Sequence, residues 1–373
     1  MEVYIFMLCW VIFFGAISQL TAKQVCIEND IYEKRTNLFM ALIVFSVIIF
    51  FAGLRSGIGD TYAYINMFDN FPLMQDFQNY ISQPNVKDKG FVFISTIIKT
   101  YISNDYSTWL FIIAFISGIS VMYTLYKYSS NFGMSAFLFM STCGFTWLFN
   151  GMRQFLAVSI LFAFTELILK RKAILYIILV IVVSRIHHSA LIMIPVYFIV
   201  EEEPWSKRIW LFIVIIMLGM VFANEFTNIL SGVAEEMNYS LVAQDAQSDD
   251  GANIIRILVE SIPIILAFIY RDKISDKMTP IIKLSTNMSL MTSGFYILSK
   301  ILRSGVLIGR FPIYFSLYNL ILLPWLINNI FEKNVRRLIN YIMVICYLVF
   351  FYYQMVVAWG GLEYVSKILN IRY

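Results

Sequence analysis

Long apolar segments follow one another along most of this chain, and they restrict its fold more than any other feature. A helix crosses the hydrocarbon core of a membrane with about 20 mostly apolar residues, all of whose backbone polar groups are hydrogen-bonded within the segment. Segments of this kind lie at residues 3–20, 38–54, 108–126, 135–150, 153–169, 173–187, 188–200, 208–223, 253–270, 283–302, 311–331 and 338–357. The pattern predicts an all-α polytopic integral membrane protein of about twelve spans, or ten to twelve, because segments 173–187 and 188–200 are short.

The composition excludes the soluble classes of protein. Of the 373 residues, 60% are hydrophobic and 14% are charged, whereas a soluble domain has about 45–50% apolar and about 25% charged residues. A soluble chain of this length would have too little polar surface to cover its core. A cytosolic or secreted enzyme, an ordinary DNA-binding protein and a disordered scaffold are therefore excluded. In a membrane protein, a net charge of +4 reports on orientation before it indicates a nucleic-acid partner, because cytoplasmic loops collect lysine and arginine.

Neither a disulfide framework nor a removed signal peptide is indicated by the sequence. The four cysteines, Cys9, Cys26, Cys143 and Cys346, are scattered and share no short spacing. We therefore expect reduced thiols, with no zinc site. The first apolar segment begins without a basic region and is followed by no small-residue cleavage site, so we expect a retained span.

Basic residues collect in the loops on one side of the predicted spans. If every segment crosses the membrane, these clusters fall on a single side, which is cytoplasmic by the positive-inside rule. The clusters are Lys170–Lys172, Lys207–Arg208, the run from Arg271 to Lys283, and Lys333–Arg337. The acidic stretch 225–250 then lies outside together with both termini. We expect one transmembrane domain over residues 1–373, with a long outer segment at 55–107 and an acidic outer loop at 224–252.

The outer segment 55–107 has a pattern that is typical of helices lying on a membrane. Aromatic residues are interspersed with acids and amides between Asp60 and Tyr80, and Gly90–Tyr101 is amphipathic but too short to span. We expect interfacial or re-entrant helices here, over the outer membrane face. The chain shows no internal sequence repeat, so the pattern does not favour an inverted-repeat transporter.

Six arginines lie at or just inside the outer ends of predicted spans, where the positive-inside rule does not place them. They are Arg55, Arg153, Arg185, Arg256, Arg303 and Arg310. Snorkelling or pairing with a carboxylate could explain any one of them, and Arg256 with Glu260, four residues apart, is the best candidate for a structural pair. Six at one level favour a basic cavity open to the outer face. Its ligand would be anionic and partly lipidic, as a polyprenyl diphosphate carrying a sugar chain is.

The two histidines of the chain, His187 and His188, are adjacent at the outer end of a short apolar segment, beside Arg185. An imidazole at this rim is a candidate general base, and a satisfied structural role is the alternative. Two neighbours on a helix cannot face the same way, so only one would serve. No set of three or four metal ligands is visible, and Asp249-Asp250 is expected to be solvated surface.

Three stretches on the predicted outer side together resemble the EpsG family of exopolysaccharide polymerases, which is a Wzy-like group. They are GLRSGIGDTYAYINMF after the second span, NGMRQFLAVSI at the fifth, and SRIHHSALIMIPVYF at the sixth and seventh. The positions that match the family's patterns are Gly53, Arg55, Gly59, Asp60 and Tyr64, then Asn150, Arg153, Gln154 and Ala157, then His187, Ser189 and Ala190.

The resemblance selects His187 over His188 as the functional histidine, because His187 matches the H-x-S-A pattern. It is clear over about the first 200 residues and rests on hydropathy in the C-terminal third, where Arg310 with Tyr314 also looks like the family. One departure is visible: the aromatic residue usual after the aspartate stands one position later, at Tyr62.

The resemblance implies a glycosyltransferase-C-like fold and the polymerisation of lipid-linked repeat units for capsule, exopolysaccharide or the O-antigen of lipopolysaccharide. The growing glycan would move from undecaprenyl diphosphate onto a sugar hydroxyl of the incoming lipid-linked unit, at the outer face of the bacterial cytoplasmic membrane. The enzyme would be a metal-independent glycosyltransferase without a cofactor. Its partners would be the undecaprenyl-diphosphate-linked donor and acceptor and membrane lipid, with a chain-length regulator as an open question and no nucleic acid.

The resemblance and the chemistry of the side chains together suggest roles for individual residues. The candidate catalytic residues are His187 as general base, Asp60 as the competing base, and Arg153 at the leaving diphosphate, where Arg303 or Arg310 would assist it. The candidate substrate-binding residues are Arg55, Tyr62, Tyr64, Asn150, Gln154, Arg185, Arg303, Arg310 and Tyr314. For the outer tyrosines, membership of the interfacial aromatic belt is an equal alternative to stacking on sugar rings.

Other functions share part of this pattern. A lipid-linked oligosaccharide flippase or another transporter would carry a cationic cavity, but with basic residues distributed towards the midplane and inner side. An O-antigen-ligase-type glycan transferase shares the donor and an arginine and histidine site, so only the motifs favour a polymerase. A membrane acyltransferase would be expected to carry histidines on separate helices. Glu166, inside the fifth span, is either a packing contact or a proton-relay group.

Overall fold

Helices form at each of the apolar segments that the sequence predicts to be spans, so far as those segments are described. The computed structural model describes residues 1–28, 31–221, 251–305, 307–359 and 362–371. It is 76% helical and nearly all-α, which confirms the predicted helical class. The acidic outer loop at 224–252, including Asp249-Asp250, lies almost wholly outside the described residues.

The helices are numbered here in chain order. They are α1 (Glu2–Leu20), α2 (Leu38–Gly53), α3 (Thr61–Asp69), α4 (Phe77–Ile81), α5 (Lys89–Ile97), α6 (Tyr106–Tyr128), α7 (Phe132–Ser141), α8 (Met152–Ala163), α9 (Thr165–Leu169), α10 (Ala173–Ser184), α11 (Met193–Val200), α12 (Lys207–Val221), α13 (Ile254–Ile269), α14 (Arg271–Ile274), α15 (Pro280–Ile301), α16 (Ile313–Ser316), α17 (Asn319–Ile330) and α18 (Lys333–Tyr352). Short 3-10 turns and π turns extend or join several of them, at Met74–Asp76, Ile98–Ile102, Gly144–Leu148, His188–Ile192, Ser275–Lys277, Ile308–Arg310 and Tyr353–Ala358.

Several of these helices are long and apolar enough to cross a membrane. Among the described residues, the candidates are Glu2–Leu20, Tyr106–Tyr128 and Lys333–Ala358. The bent pair Ile308–Ser316 and Asn319–Ile330, with an angle of 53° between its parts, makes a fourth if it is one span. Five more apolar helices are shorter than this, which supports a membrane protein. The number of twelve spans stays a prediction.

The described chain divides into two compact units. Unit 1 comprises Met1–Leu167, Lys172–Leu191 and Glu332–Tyr373. Unit 2 comprises Ile168–Arg171 and Ile192–Phe331. The division puts Arg55, Arg153 and Arg185 in unit 1, and the other three predicted rim arginines in unit 2. The basic cavity that would join all six therefore stays a prediction, as does the single transmembrane domain.

Close helix contact and side-chain caps organise unit 1. Helices α1 and α7 meet at a pair of glycines, where a Cβ atom on Gly15 would lie only 3.2 Å from the Cα atom of Gly133. Small residues allow such close approach, which is how apolar helices gain van der Waals contact without a hydrophobic driving force. The starts of α2, α6 and α7 are set by Asn37, Asp105 and Asn131, whose side chains accept hydrogen bonds from backbone N–H groups of the first turn.

A two-stranded antiparallel hairpin departs from the all-α expectation. Strands β1 (Lys23–Glu28) and β2 (Ile31–Arg35) pair with Lys23 opposite Arg35, between α1 and α2. The strands contain β-branched and aromatic residues, which favour extended backbone. Hydropathy identifies spans and does not report on a short connection between them, so the hydropathy pattern did not predict this hairpin.

The outer segment 55–107 folds into the short helices α3, α4 and α5, packed on the start of α6. The indole of Trp109 stacks on Phe68 with ring centroids 4.8 Å apart, and its Nε1 donates to Ser95 Oγ at 3.0 Å. The ammonium of Lys99 donates to the carbonyl oxygens of Phe68, Asp69 and Phe71 at 2.8–2.9 Å, which caps the end of α3. These contacts hold the segment against unit 1, while its place at a membrane interface stays a prediction.

The ion pairs Arg256–Glu260 and Lys127–Glu166 concern charges that the sequence singled out as candidates for a structural role. In unit 2, Arg256 and Glu260 on α13 lie 3.7 Å apart, as the spacing predicts, and Asn319 donates to Glu260 at 3.0 Å. In unit 1, Lys127 and Glu166 form an ion pair of 2.5 Å. The second pair supports the packing role for Glu166 rather than the proton relay.

Candidate functional site

The first sequence stretch turns sharply after α2 around the side chain of Arg55. This guanidinium is buried, with 1% of the residue exposed. Its Nε donates to Thr61 Oγ1 at 3.0 Å, one Nη donates to the carbonyl of Ala52, and the other lies 3.2 Å from the sulfur of Met152. Burial lowers the pKa of Arg55 to about 10. The structure places Arg55 beneath the surface, where it joins the first stretch to the second, and its role towards substrate stays a prediction.

Asp60 and Asn150 bring the first two stretches together at the surface. Asp60 precedes α3, after Gly59, whose φ of +50° lies in the left-handed region. The amide of Asn150 is assigned with its nitrogen towards this carboxylate, since both groups are then satisfied, and it donates to the two oxygens at 2.5 and 2.9 Å. Both residues are exposed, so a carboxylate held in place by an amide faces outward.

Arg153 lies in the first turn of α8, which begins after Gly151 in the left-handed region at φ +81°. One Nη forms an ion pair of 2.7 Å with Asp88 Oδ2, and 31% of the arginine side chain remains exposed. The phenol of Tyr64 lies close enough for Arg153 to affect it: burial raises the pKa of Tyr64, and the guanidinium opposes that rise. Arg153 is thus a partly exposed cation held by the outer segment.

Asp88 is a member of this cluster that the sequence analysis missed. Its side chain is 8% exposed, and burial raises its pKa, although the Arg153 guanidinium and the backbone of His188 act in the opposite direction. The available signal was weak: a single acid between two lysines in VKDKG, just before the amphipathic stretch. An isolated charge in a polar loop ordinarily indicates solvated surface, so nothing in the sequence separated Asp88 from its neighbours.

The third stretch joins the second through a chain of hydrogen bonds. The amide nitrogen of Gln154 donates to Ser189 Oγ at 3.3 Å, and Ser189 Oγ lies 2.7 Å from His187 Nδ1. His187 is half-buried and Gln154 is buried, whereas His188 is exposed. The predicted choice of His187 thus falls on the histidine that is linked to α8.

The remaining predicted residues lie in varied settings. Tyr62 is 82% exposed on α3, beside Asp60, whereas Tyr64 is buried. Arg185 exposes its side chain, and its carbonyl accepts from the backbone N–H of Gly90 at 2.8 Å. In unit 2, Arg303 and Arg310 are exposed, and Tyr314 is buried at 4% exposure. Unit 1 therefore contains most of the predicted site residues, whereas Arg303, Arg310 and Tyr314 belong to unit 2.

Metal ligands and thiols form no further cluster in the part of the chain that the structure describes. Within that part, no group of three histidine, cysteine, aspartate or glutamate side chains could hold a metal ion. Within the described residues, Cys9, Cys143 and Cys346 form no disulfide, and the side chain of Cys26 lies outside the described atoms. The side chains of Arg153, His187 and Asp60 give the site a guanidinium, an imidazole and a surface carboxylate within one unit.

Residues 38–366 match the EpsG family, so this chain belongs to that family. Members of the family are Wzy-type polymerase-like, which indicates a polysaccharide polymerase-like role and agrees with a glycosyltransferase-like enzyme. The match extends the resemblance through the C-terminal third, where the sequence motifs were sparse. No curated protein and no solved structure matches the chain.

Proposed function

We propose that this protein polymerises undecaprenyl-diphosphate-linked oligosaccharide repeat units at the outer face of the cytoplasmic membrane. The growing glycan leaves its lipid diphosphate and is transferred onto a sugar hydroxyl of the incoming lipid-linked unit. Membership of the EpsG family supports the polymerase-like class and implies lipid-linked glycans as substrates. The finer assignment of donor, acceptor and membrane face is the proposal.

The observation that carries the proposal is the convergence of the three sequence stretches in unit 1. Asn150 binds Asp60, and Arg153 lies against Tyr64, which joins the second stretch to the first. Gln154 and Ser189 join it to the third, which carries His187. Residues about 90 and about 130 positions apart in sequence thus form one surface, as a site for a single reaction requires.

The reaction needs an acid–base group and a cation at separate places. The bond between the anomeric carbon and the diphosphate oxygen breaks, and the acceptor oxygen forms the new bond to that carbon. The diphosphate leaves as an anion, and a preorganised guanidinium near its oxygens stabilises the developing charge. Arg153 takes this role in the proposal, because its side chain is partly exposed and fixed by an ion pair.

His187 takes the proton of the acceptor hydroxyl. A neutral imidazole acts as base at Nε2 when Nδ1 carries the ring proton and donates it, here to Ser189 Oγ at 2.7 Å. A serine oxygen accepts two hydrogen bonds, so Gln154 can donate to Ser189 at the same time. Asp60 is the competing base, since its carboxylate is exposed and oriented by Asn150.

Exposure divides the proposed substrate-binding residues into two groups. Tyr62, Asn150 and Arg185 are exposed in unit 1 and can contact sugars or phosphate directly. Arg303 and Arg310 are exposed in unit 2 and are proposed to bind a second anionic group. The buried members of the set are proposed to position the site rather than to contact substrate directly: Arg55, Tyr64, Gln154 and Tyr314.

Extension of natural lipid-linked units by the purified full-length protein tests the proposal without knowledge of the sugars. Cells that lack the protein accumulate single units if the proposal is right, and these can be extracted as substrate. We expect a ladder of longer glycans and release of undecaprenyl diphosphate, resolved by gel electrophoresis and mass spectrometry. Movement of the units across vesicles without growth would identify a flippase instead, and transfer to lipid A or protein alone would identify a ligase.

The proposed orientation predicts opposite accessibility for two exposed positions in unit 1. In a background without the four native cysteines, we expect Gln83→Cys to react with an impermeant maleimide in intact cells, after permeabilisation of any outer membrane. The matched control Lys172→Cys, also exposed, should react only when the cytoplasmic membrane is opened. Labelling of both from the same side, or of Lys172→Cys first, would contradict the outer location of the site.

A further inference from the structure

The turn Asp88–Gly90 forms a fourth part of the cluster, outside the three sequence stretches that carry the motifs. The carboxylate of Asp88 binds Arg153 at 2.7 Å, and the backbone of His188 lies within hydrogen-bonding reach of the same carboxylate. Two residues later, the backbone N–H of Gly90 donates to the carbonyl of Arg185 at 2.8 Å. One short turn therefore contacts both the arginine and the histidine segment.

We infer that Asp88 is a positioning residue of the site, whose carboxylate orients the guanidinium of Arg153 and holds it beside the segment that carries His187. The inference rests on the proposed function, because it assigns Asp88 to the reaction through Arg153. Asp88 touches no reacting atom in this account. Its effect is to reduce the freedom of a long, flexible cation before the substrate arrives.

The backbone of the turn supports a role beyond ordinary surface. Asp88 has φ 50° and ψ 48°, in the left-handed region that residues other than glycine seldom occupy. Such a conformation is strained for a residue that carries a Cβ atom, and it persists when surrounding contacts compensate for it. At Gly90, a Cβ atom would lie 2.7 Å from the Cβ atom of Arg185 and 2.8 Å from its carbonyl oxygen. The turn is thus held closely against the histidine segment.

The ion pair leaves Arg153 able to bind an anion. A guanidinium has five N–H donors, and the pair with Asp88 uses one Nη. Of the arginine side chain, 31% is exposed, compared with 8% for Asp88, so the arginine is the member of the pair that reaches the surface. Loss of the carboxylate would leave the positive charge of Arg153 in place, but the orientation of its guanidinium would no longer be fixed. The guanidinium would then stabilise the leaving diphosphate less well in the transition state. Loss of an interaction made in the transition state lowers kcat while substrate binding changes little.

Steady-state kinetics of the purified full-length protein test this prediction. We expect Asp88→Asn to lower kcat for extension of lipid-linked units by about 10- to 100-fold, with KM for the lipid-linked unit within about twofold of the wild-type value. Asp88→Glu should restore part of the loss, and the matched control Asp76→Asn, an exposed carboxylate of the same segment, should be neutral. Gly90→Ala should reproduce the loss with Asp88 intact, whereas Gly57→Ala, whose new Cβ meets only Val365 at 3.6 Å, should not.

A chemical measurement separates this inference from the proposed function. The rate at which an arginine-selective dicarbonyl reagent modifies Arg153, followed by mass spectrometry, needs no enzyme activity. We expect this rate to rise in Asp88→Asn and to stay unchanged in Asp76→Asn. Unchanged reactivity, a wild-type kcat, or a loss matched by an equal loss of folded protein would overturn the role of Asp88. A wild-type protein that folds but extends nothing would overturn the proposed function alone.

Discussion

Arg153→Ala is expected to abolish long-chain polymer while the protein still inserts in the membrane. The physical reason is the loss of the partly exposed cation that stabilises the leaving diphosphate. Removal of one preorganised donor from such a site typically lowers the rate by about 100- to 1,000-fold, which would leave single repeat units. Glycan length in cells that carry only the variant gene, resolved by gel electrophoresis, measures the effect, and the amount of protein in the membrane fraction controls for insertion.

The structure also provides a way to separate chemistry from folding in this experiment. Arg153→Ala leaves the carboxylate of Asp88, 8% exposed, without its ion-pair partner, and an unpaired buried charge is destabilising. The double variant Arg153→Ala/Asp88→Asn removes that charge. If the single variant fails for structural reasons, the double variant should recover polymer, and if Arg153 acts on the diphosphate, both should remain inactive.

Two further variants define what the site needs from Arg153. Arg153→Lys keeps the charge but loses the planar fork that binds phosphate through parallel hydrogen bonds, so we expect reduced activity with short chains. Arg171→Ala serves as the matched control, because Arg171 is an exposed arginine in the predicted cytoplasmic cluster. Normal chain lengths in Arg153→Ala would contradict the role of this residue at the diphosphate.

The helical class could be predicted from the sequence because hydropathy reports directly on burial in lipid. Within the described residues, each predicted span coincides with helix, even where the helix is broken, as at Cys143, whose φ is 62°. The breaks themselves could not be predicted. A residue at positive φ, or a π turn such as Tyr353–Ala358, is a feature of the backbone dihedral angles, and hydropathy does not report on these angles.

Part of the site could be predicted from the spacing of sequence motifs rather than from hydropathy. Motif spacing identified Asp60, Arg153 and His187, and the structure places all three in unit 1. Motif spacing could not show that Arg55 is buried, since the sequence around an arginine at the end of a span is the same whether its side chain faces substrate or protein. It also missed Asp88, whose importance comes from a partner 65 residues away. A contact between distant loops has no signature in a single sequence.

His187→Ala is expected to lose polymer, while the neighbouring His188→Ala largely keeps it. The two side chains differ in setting although they are adjacent in sequence. His187 is half-buried and bound at Nδ1 to Ser189, which is in turn bound by Gln154, so its ring has a defined orientation. His188 is exposed, and it acts on the Asp88 carboxylate both through its backbone, which alanine retains, and through the charge of its ring, which alanine removes.

The hydrogen bond between Ser189 and His187 allows the orientation of the imidazole to be tested without removing its ring. Ser189→Ala removes the partner of Nδ1 but leaves the imidazole, so a base that depends on its tautomer should lose activity without losing its ring. We expect Ser189→Ala to lower the extension rate by about 10- to 100-fold, less than His187→Ala, because proton transfer by a positioned side chain contributes about 100- to 10,000-fold.

If His187→Ala keeps long chains while Asp60→Asn loses them, the base is Asp60. That result would move the proton acceptor to the carboxylate that Asn150 binds at 2.5 and 2.9 Å, within the same unit. If His188→Ala is the inactive variant, the register inferred from the H-x-S-A pattern is wrong, because its ring rather than its backbone would then be required.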